Sequence, residues 1–372
     1  MTLRRENKYM AKIRVAVLFG GKSNEHSISV ATASGVLSAI DSSKYEVVPV
    51  GITRDGVFVP FKGDPATLSL SNGLKTIEPE GSTIRFAMDG SCELFEKDAS
   101  GKERSLGVID VVMPLLHGPF GEDGTMQGFL ELVGVPYVGN GVLGSAAAMD
   151  KEFSKALFKA AGIPSPDYAV VSASDMLNNP ESALDRIKDL GKLPFFVKPA
   201  RSGSSVGITK VDSMKDIPSA LTEAFKHDDK VIIEVGVVGR EIECGVLDSL
   251  DGGALRVSVA GEITVRGREF YDFEAKYVDS DAATLICPAD ISSDQLATMQ
   301  QMARKAFKAL GCKGLARVDF FLTDRGFMVN EINTMPGFTS ISMFPRCWQE
   351  SGLSYKDLID ELISLALVDS AS

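Results

Sequence analysis

The 372-residue chain is poor in the residues that build metal centres and disulfide frameworks. It has three histidines, five cysteines and one tryptophan. It contains no Cys-x-x-Cys and no His-Glu-x-x-His sequence, so neither a structural zinc site nor a zinc-protease centre is indicated. The cysteines are odd in number and widely spaced, a pattern typical of free thiols in a reducing cytosol: Cys92, Cys244, Cys287, Cys312 and Cys347.

Excess positive charge and long apolar runs are also lacking. The formal net charge of −11 argues against nucleic acid or an anionic membrane surface as the main partner. No apolar stretch is long enough to span a bilayer. The basic N-terminal start leads into a short apolar run containing Arg14, which favours a strand over a signal peptide, with Met10 as an alternative start after a leader of residues 1–9. We therefore expect a cytoplasmic protein without a nucleic-acid or membrane partner.

The chain is too long for one ordinary hydrophobic core, which predicts two or three domains. Residues 13–60 have the pattern strand, glycine turn, helix, strand, and such a βαβ unit implies a parallel sheet and the α/β class. Residues 61–107 are rich in Gly, Ser, Asp and Lys and are interpreted as an insertion or hairpin excursion. The predicted helices include residues 27–40, 125–133, 145–161, 293–310 and 354–367, and a strand is predicted over residues 108–113.

Residues 317–333 have the form of a β-hairpin, with residues 324–326 as a three-residue turn ending in glycine. The predicted register pairs Thr323 with Phe327, Asp319 with Glu331, and Arg317 with Asn333. Side chains alternate along a strand, so Arg317, Asp319, Glu331 and Asn333 are expected on one face. Two facing carboxylates repel unless a cation lies between them, and this donor set suits Mg²⁺. A solvated strand face is the alternative.

Two nucleotide-binding fingerprints fail on inspection. The GGKS sequence at residues 20–23 resembles the end of a P-loop, but Ala16 occupies the leading glycine position. The GNGVLG sequence at residues 139–144 follows a short strand, and no acidic ribose ligand follows at the required distance. Neither predicts a dinucleotide site.

A stronger phosphate-binding candidate is PARSGSSVGI, residues 199–208, whose backbone N–H groups can close over phosphates. An ordinary hairpin loop is the alternative, but it would not require Lys198 at the end of an apolar strand, where a lysine needs an anion. Lys151 alone is equally compatible with a surface lysine.

Glu25 and His117 follow predicted parallel strands, at the carboxyl edge where open α/β sheets bind their ligands. For Glu25 an equally good interpretation is a carboxylate that favours the dipole at the start of a helix. The residues alone leave both interpretations open.

Seven segments together resemble the ATP-grasp superfamily, and within it the D-alanine–D-alanine ligases, in the family's order and over nearly the whole chain: FGGKSNEHSISV, HGPFGEDGTMQG, MDK, VKPARSGSSVG, EFYDFEAKY, ARVDFF and NEINTMPGFTSIS. The resemblance implies a three-domain ATP-grasp architecture: residues 1–140 as an N-terminal α/β substrate-binding domain with a parallel sheet, residues 141–237 as the central subdomain, and residues 238–372 as the C-terminal subdomain with the hairpin and a lid loop. It further implies ATP-dependent joining of two D-alanine molecules through a D-alanyl phosphate for peptidoglycan synthesis. The implied small-molecule partners are ATP and D-alanine, and the implied assembly is a homodimer. The implied metal cofactor is two Mg²⁺ ions, for which Mn²⁺ can substitute.

The resemblance also implies roles for individual residues. The implied ATP-binding residues are Lys151, Lys198, Ser204, Ser205, Glu234, Val235, Val237, Glu241 and Lys276. The implied metal ligands are Asp319, Glu331 and Asn333. The implied catalytic residues are Glu25, Ser204, Lys276, Tyr277, Arg317 and Gly337, and the implied substrate-binding residues are Glu25, His117, Tyr271, Arg317, Gly337, Ser342 and Met343. Within these sets, Glu25 resembles the residue for the first ammonium group, and Tyr277 with Ser204 and Glu25 resembles a hydrogen-bonded lid.

The chain departs from parts of the family pattern. Some members have an acidic residue in place of Ser202, a lysine in place of Val235, or a leucine in place of Met343, and residues 61–107 are longer than in the shortest members. The alternatives to a D-alanyl-D-alanine product are D-alanyl-D-serine or D-alanyl-D-lactate, and a catalytically silent ATP-binding module is a further alternative.

Overall fold

A computed structural model of the chain describes residues 12–265 and 283–369. The strands are β1 Ile13–Gly20, β2 Tyr45–Ile52, β3 Phe58–Pro60, β4 Thr83–Phe86, β5 Glu93–Lys97, β6 Glu103–Val108, β7 Val111–Pro114, β8 Tyr168–Ser172, β9 Phe195–Pro199, β10 Thr209–Val211, β11 Lys230–Val235, β12 Arg240–Leu247, β13 Arg256–Val257, β14 Gly261–Val265, β15 Ala283–Ile286, β16 Leu315–Thr323 and β17 Gly326–Asn333. The helices are α1 His26–Ala39, α2 Thr125–Val133, α3 Val142–Met149, α4 Lys151–Ala160, α5 Ala173–Asn178, α6 Pro180–Lys188, α7 Ile217–Ala224, α8 Ser293–Ala309, α9 Met343–Glu350 and α10 Tyr355–Asp369. None of the helices in the described ranges is both long and apolar enough to cross a membrane.

The first sheet has the order β3-β2-β1-β7, and β1 runs parallel to both β2 and β7, which confirms the predicted βαβ opening. Alternate residues of β1 enter two different cores. Val15 and Val17 pack with residues of α1 and α10, whereas Ala16 and Leu18 pack with residues of α2, β4 and β5. A strand that is buried on both faces has apolar residues pointing to both sides, as β1 has from Val15 to Phe19, whereas Arg14 lies at its partly exposed start.

The segment 61–107 contains short 3₁₀ turns followed by an antiparallel sheet of β4, β5 and β6. The predicted strand over 108–113 is corrected here, because Val108 ends β6 of this sheet and β7 begins at Val111. The sheet covers the outer core of the first unit, so the segment is a structured excursion.

Two further sheets form the rest of the chain. The sheet β10-β9-β11-β8 packs against α6 and α7. The sheet β15-β14-β12-β16-β17, with β13 beside β12, packs against α8 and α4. The C-terminal helix α10 crosses back to pack on the first sheet, so the end of the chain joins the N-terminal core.

The hairpin of β16 and β17 pairs Asp319 with Glu331 and Arg317 with Asn333, as predicted, but its turn differs from the prediction. Thr323 pairs with Gly326, and not with Phe327, so the loop has two residues. The additional residue lies instead in a β-bulge at Asn330, where the register shifts between Asp319 and Phe320. An extra residue shifts the pairing by the same amount whether it lies in the turn or in the strand. The predicted turn was wrong, but the pairs from Asp319 and Glu331 onward, and the face that they share, were therefore predicted correctly.

The helix predicted over 145–161 is two helices, α3 and α4, separated at Asp150. The Asp150 carboxylate accepts hydrogen bonds from the N–H groups of Glu152, at 3.1 Å, and Phe153, at 3.4 Å, and so forms the N-cap of α4. Its second oxygen accepts a hydrogen bond from Lys230 Nζ at 2.6 Å. The helical spacing of apolar residues does not show where α3 ends and α4 begins. Only the capping hydrogen bonds distinguish Asp150 from a residue in the interior of one long helix.

Replacing this cap should reduce stability. We expect Asp150→Ala to lower the free energy of unfolding by about 1 to 2 kcal/mol, because two partly buried N–H groups lose their acceptor. The shift of the urea unfolding midpoint measures it. Asp150→Asn is the matched control, since asparagine retains the capping oxygen, and equal midpoints for Asp150→Ala and the parent chain would contradict the capping role.

Candidate active site

Three acidic residues lie side by side on one face of the largest sheet. Glu243 on β12 is opposite Asp319 on β16, and Asp319 is opposite Glu331 on β17. Glu243 and Asp319 are buried, whereas the side chain of Glu331 is 34% exposed. Adjacent carboxylates repel across a sheet, so this row requires a cation.

Arg317 supplies part of the positive charge that the carboxylate row requires. It lies on β16 two residues before Asp319 and on the same face. Its Nε lies 2.7 Å from Asp319 Oδ1 and its terminal nitrogen 2.7 Å from Asp319 Oδ2, a bidentate pair. Nε also lies 3.2 Å from Glu243 Oε2. Burial alone would lower the pKa of Arg317, but Asp319 and Glu243 raise it well above its usual value. The guanidinium is therefore held charged and oriented from two sides.

The remaining oxygens on this face have the chemistry of a magnesium site. Asn333 Nδ2 donates to Asp319 Oδ2 at 2.9 Å, which orients the amide toward the carboxylate row. Within residues 12–265 and 283–369, no three His, Cys, Asp or Glu side chains are arranged to hold a metal by themselves. Mg²⁺ commonly takes only one or two carboxylates and completes its shell with water and phosphate oxygens. Asp319, Glu331 and Asn333 fit that requirement.

Lysines approach the carboxylate row from the neighbouring sheet and from α4. Lys151 Nζ lies 3.9 Å from Glu331 Oε2 and donates to the Ser202 carbonyl at 2.8 Å. Lys198 Nζ donates to Glu234 Oε2 at 2.6 Å. A cleft with cations on one side and carboxylates on the other can hold a polyphosphate together with its metal ions.

Glu234 is buried between two lysines. Lys155 Nζ, almost fully buried, lies 3.1 Å from Glu234 Oε1, opposite the contact from Lys198. Burial would raise the pKa of Glu234, but the two lysines outweigh it and hold the pKa at about 2. Burial also opposes the charge of Lys198, but Glu234 raises its pKa above the usual value. Glu234 thus fixes the position of Lys198.

The loop between β9 and β10 has a conformation suited to enclosing an anion. Ser204 and Ser205 have φ of 47° and 60°, in the left-handed region that residues other than glycine rarely adopt. Arg201 anchors the start of the loop, where its own N–H donates to Asp228 Oδ2 at 2.8 Å and its guanidinium pairs with the same carboxylate. Strained backbone held by such anchors is common at ligand sites.

Glu25 begins α1 and faces this loop. It is buried, and Ser204 Oγ donates to its Oε1. Two glycines approach the carboxylate closely, since a Cβ on either Gly118 or Gly203 would lie 2.5 Å from Glu25 Oε2. The carboxylate therefore lies in a cradle formed by three different loops, and it makes no capping hydrogen bond to α1. Of the two interpretations left open by the sequence, the geometry favours the ligand-facing one.

His117 and Glu122 connect the first sheet to the loop that follows β17. His117 Nδ1 is 3.0 Å from the Met335 carbonyl, and its Nε2 is 3.0 Å from Thr32 Oγ1. Burial lowers the pKa of His117. Glu122 accepts hydrogen bonds from the N–H groups of Gly118, at 2.7 Å, and Met335, at 3.0 Å. His117 thus positions a backbone loop in this structure.

That loop carries Gly337 and leads to Ser342, the residue before α9. A Cβ on Gly337 would lie 3.3 Å from Ser342 Oγ, and Ser342 Oγ is also 2.7 Å from Thr339 Oγ1. Met343 starts α9 with its side chain buried against Ile263 and Cys347. Because this side chain is buried, the part of Met343 that can contact a ligand is its backbone at the N-terminus of α9, where a helix favours negative charge.

The other residues implied for ATP lie at the end of β11 and along β12. The Val235 N–H donates to the Asp167 carbonyl at 2.9 Å, and Val237 follows in the connecting segment. Glu241 shares a face of β12 with Glu243, opposite Phe321 of β16. Tyr271, Lys276 and Tyr277 lie outside the described residues.

Reasoning from sequence missed three charged side chains that contact residues of this cleft: Lys155, Glu243 and Glu122. Lys155 follows Lys151 by one helical turn and therefore shares its face, a signal that was available. Glu243 alternates with Glu241 on β12, but its approach to Arg317 depends on which strand neighbours β16. Glu122 lies within the HGPFGEDG segment, but its acceptor role requires the distant Met335 N–H.

Comparisons with known proteins agree with this geometry. The family model described as D-ala D-ala ligase N-terminus matches residues 14–140, and the model described as D-ala D-ala ligase C-terminus matches residues 157–364. A D-alanine–D-alanine ligase of Pseudarthrobacter chlorophenolicus is 51% identical over 361 residues, covering 96% of this chain and 94% of the relative. One from Streptomyces griseus is 49% identical over 367 residues, covering 96% and 93%.

Solved structures show the same arrangement. The VanG D-Ala:D-Ser ligase from Enterococcus faecalis superposes with a TM-score of 0.81 at 36% identity, covering 96% of this chain and 100% of that one. The D-alanine-D-alanine ligase from Coxiella burnetii superposes with a TM-score of 0.80 at 34% identity, covering 97% and 95%. With family models over most of its length and relatives at about half identity, the chain belongs to the D-alanine–D-alanine ligase family of the ATP-grasp fold.

Proposed function

We propose that the chain joins two D-alanine molecules to D-alanyl-D-alanine at the expense of ATP, and supplies this dipeptide for peptidoglycan synthesis in the cytoplasm. One observation carries the proposal. Lys151, beside the anion-enclosing loop, lies 3.9 Å from Glu331 of the carboxylate row, so a phosphate and a metal ion have adjacent places in one cleft.

ATP lies between the two larger sheets in this proposal. Lys151 and Lys198 bind its phosphates under the loop of Ser204 and Ser205, as their charge and buried position suit them to do. The hinge at Glu234, Val235 and Val237 contacts the adenine, Glu241 binds the ribose hydroxyls, and Lys276 approaches the transferred phosphate.

Asp319, Glu331 and Asn333 would hold two Mg²⁺ ions, or Mn²⁺ in their place. When bound, the ions supply charge neutralisation at the transferred phosphate. Arg317 keeps a second carboxylate beside it meanwhile, because Glu243 Oε2 lies 3.2 Å from its Nε.

The first D-alanine binds with its ammonium at Glu25, whose carboxylate lies in the cradle of Gly118, Gly203 and Ser204. His117 orders the neighbouring loop through the Met335 carbonyl. The substrate carboxylate is directed toward Arg317 and the backbone of Gly337.

The reaction then has two steps. A carboxylate oxygen of the first D-alanine attacks the γ-phosphorus of ATP, which releases ADP and gives an acyl phosphate. The uncharged amine of the second D-alanine attacks the acyl carbon, inorganic phosphate leaves with the former carboxylate oxygen, and the nitrogen loses a proton. Arg317 and the Gly337 N–H stabilise the oxyanion between these events.

The second D-alanine places its carboxylate at Ser342 and the N-terminus of α9 at Met343, where a helix end favours an anion. Water must be kept from the acyl phosphate. We assign the exclusion of water to Tyr271 and to Tyr277, with Tyr277 acting together with the Ser204–Glu25 hydrogen bond. We also propose that the chain has three domains, residues 1–140, 141–237 and 238–372, and that it forms a homodimer.

A D-serine acceptor is the second candidate, favoured by the likeness to the VanG D-Ala:D-Ser ligase. One added hydroxyl alters a pocket only slightly, so the fold does not discriminate between the acceptors. A D-lactate acceptor is a weaker candidate, because Tyr277 resembles the lid residue that D-lactate ligases usually alter. A silent ATP-binding module is also weaker, because it would have no use for the intact carboxylate row.

The substrate assignment predicts phosphate release from ATP, Mg²⁺ and D-alanine alone, with the dipeptide as the product found by mass. Adding D-serine or D-lactate at equal concentration should leave D-alanyl-D-alanine as the main product. Phosphate release that requires a second acceptor would reassign the acceptor, and no release with any pair would revive the binding-module alternative.

The metal assignment predicts that Glu331→Gln lowers turnover by roughly a thousandfold, because a shared ligand loses its charge. Nucleotide binding measured by calorimetry without Mg²⁺ should remain. Asp324→Asn, in the exposed turn of the same hairpin, is the matched control and should retain turnover. Near-normal turnover of Glu331→Gln at saturating Mg²⁺ would refute the two-metal assignment.

Glu243 is proposed as a positioning residue for Arg317. In Glu243→Gln, Arg317 has Asp319 as its remaining carboxylate partner in the row and competes more strongly with the metal for it. We expect the Mg²⁺ concentration for half-maximal rate to rise about tenfold, or roughly 1.4 kcal/mol, at unchanged melting temperature.

The matched control for Glu243→Gln is Glu262→Gln, which removes a similar carboxylate from the Arg240 pair on the same sheet and should leave the Mg²⁺ requirement unchanged. Identical Mg²⁺ requirements for Glu243→Gln and the parent chain would reject the positioning role.

A further inference from the structure

Two cysteines that are distant in sequence meet beside the helix that starts at the second-substrate site. Cys287 follows β15, and Cys347 lies in α9. Their Sγ atoms are 3.6 Å apart, close enough for the two thiols to share a hydrogen bond. Both are reduced in this structure. The mechanism proposed above does not use either residue.

The two thiols differ in access. Cys347 is fully buried in an apolar cluster with Ile263 and Met343, whereas Cys287 is half-buried at the edge of that cluster. The hydrogen bond between the two thiols lowers the pKa of Cys287, and nearby Arg346 acts in the same direction. An accessible cysteine with thiolate character beside a sheltered second thiol is the arrangement of an attacking and a resolving pair.

We propose that Cys287 and Cys347 are a modification site, a thiol pair that hydrogen peroxide oxidises to an intramolecular disulfide that slows the ligation. The effect on ligation rests on the proposed function, whereas formation of the disulfide rests on the geometry alone.

The chemistry balances with peroxide as the two-electron oxidant. The Cys287 thiolate attacks one peroxide oxygen, the O–O bond breaks, and hydroxide leaves and takes a proton to become water, giving a sulfenic acid. Cys347 sulfur then attacks the Cys287 sulfur, the S–O bond breaks, and a second water leaves with the thiol proton. Both sulfurs are oxidised by one electron each, and a dithiol reductant reverses the change.

The disulfide would alter the position of α9 because the side chains around Cys347 are closely packed. The sulfurs must approach from 3.6 Å to about 2.0 Å, and the part of this approach that side-chain rotation does not supply requires α9 and the segment after β15 to move toward each other. Gly261 of β14 already contacts α9 closely, since a Cβ there would lie 2.1 Å from Met343 Sδ and 3.0 Å from Cys347 Sγ. A shift of α9 therefore displaces Ser342 and Met343, the proposed acceptor-carboxylate site.

The test uses the full-length protein treated with hydrogen peroxide, alkylated and digested for mass mapping. We expect a cross-linked pair of peptides containing Cys287 and Cys347, lighter by two hydrogens than the sum of the reduced peptides. D-alanyl-D-alanine formation should fall about tenfold in parallel, since a displacement near 1 Å at a reacting site has effects of at least this size. Dithiothreitol should restore both.

Variants separate the roles of the two thiols. Cys287→Ser should remain active and become insensitive to peroxide, whereas Cys92→Ser, which removes a partly exposed thiol of the first unit, should respond like the parent chain. In Cys347→Ser the sulfenic acid at Cys287 should accumulate and be trapped by dimedone.

Each of the other outcomes counts against the proposal. Alkylation of both cysteines after peroxide treatment, or a cross-link from Cys347 to Cys244, would overturn the pair. A complete Cys287–Cys347 cross-link with unchanged ligation would overturn the effect on α9. If the untreated protein makes no dipeptide, the proposed function fails, and the cross-linked peptide still decides whether the thiol pair exists.

Discussion

The site depends on the pairing of Arg317 with Asp319. Three carboxylates on neighbouring strands would repel one another, and the guanidinium makes their proximity tolerable inside a largely buried cleft. Because Glu243 lies beside the same guanidinium on the other side, Arg317 has two carboxylate partners and does not depend on Asp319 alone. One partly buried cation thus stabilises the sheet and fixes the arrangement of charges on its face.

A second constraint is that the cleft is assembled from elements far apart in the chain. Glu25 and His117 come from the carboxyl edge of the first sheet, the lysines from β9 and α4, and the carboxylates from the hairpin. The loop after the hairpin is tied to the first sheet in two ways. Met335 and Phe338 pack in the apolar core beside β1 and β7, and hydrogen bonds of the Met335 backbone to His117 and Glu122 add direction to that contact. Directional contacts of this kind fix distance and orientation together, which a site for two reactions in sequence requires.

Buried charge is used where position matters most. Lys155, Glu234 and Lys198 form a set in which each charge has a partner, so Lys198 is held in place although it is largely removed from water. A buried pair of this kind adds little net stability and serves instead to define geometry. The same reasoning applies to the cradle of Glu25, where Gly118 and Gly203 allow two backbones to approach one carboxylate.

The sequence by itself determined the local features: the βαβ opening, the glycine- and serine-rich loop after the strand that carries Lys198, and a hairpin that places Asp319 opposite Glu331. These follow from alternation, turn residues and neighbours within a few positions, which are readable without a fold. Only the tertiary structure decided that Asn330 bulges, that Asp150 divides a predicted single helix, and that Glu243, Lys155 and Glu122 belong to the site. Each depends on pairing between distant segments or on capping geometry. Periodicity does not encode such contacts, because they are selected by the packing of one sheet against another.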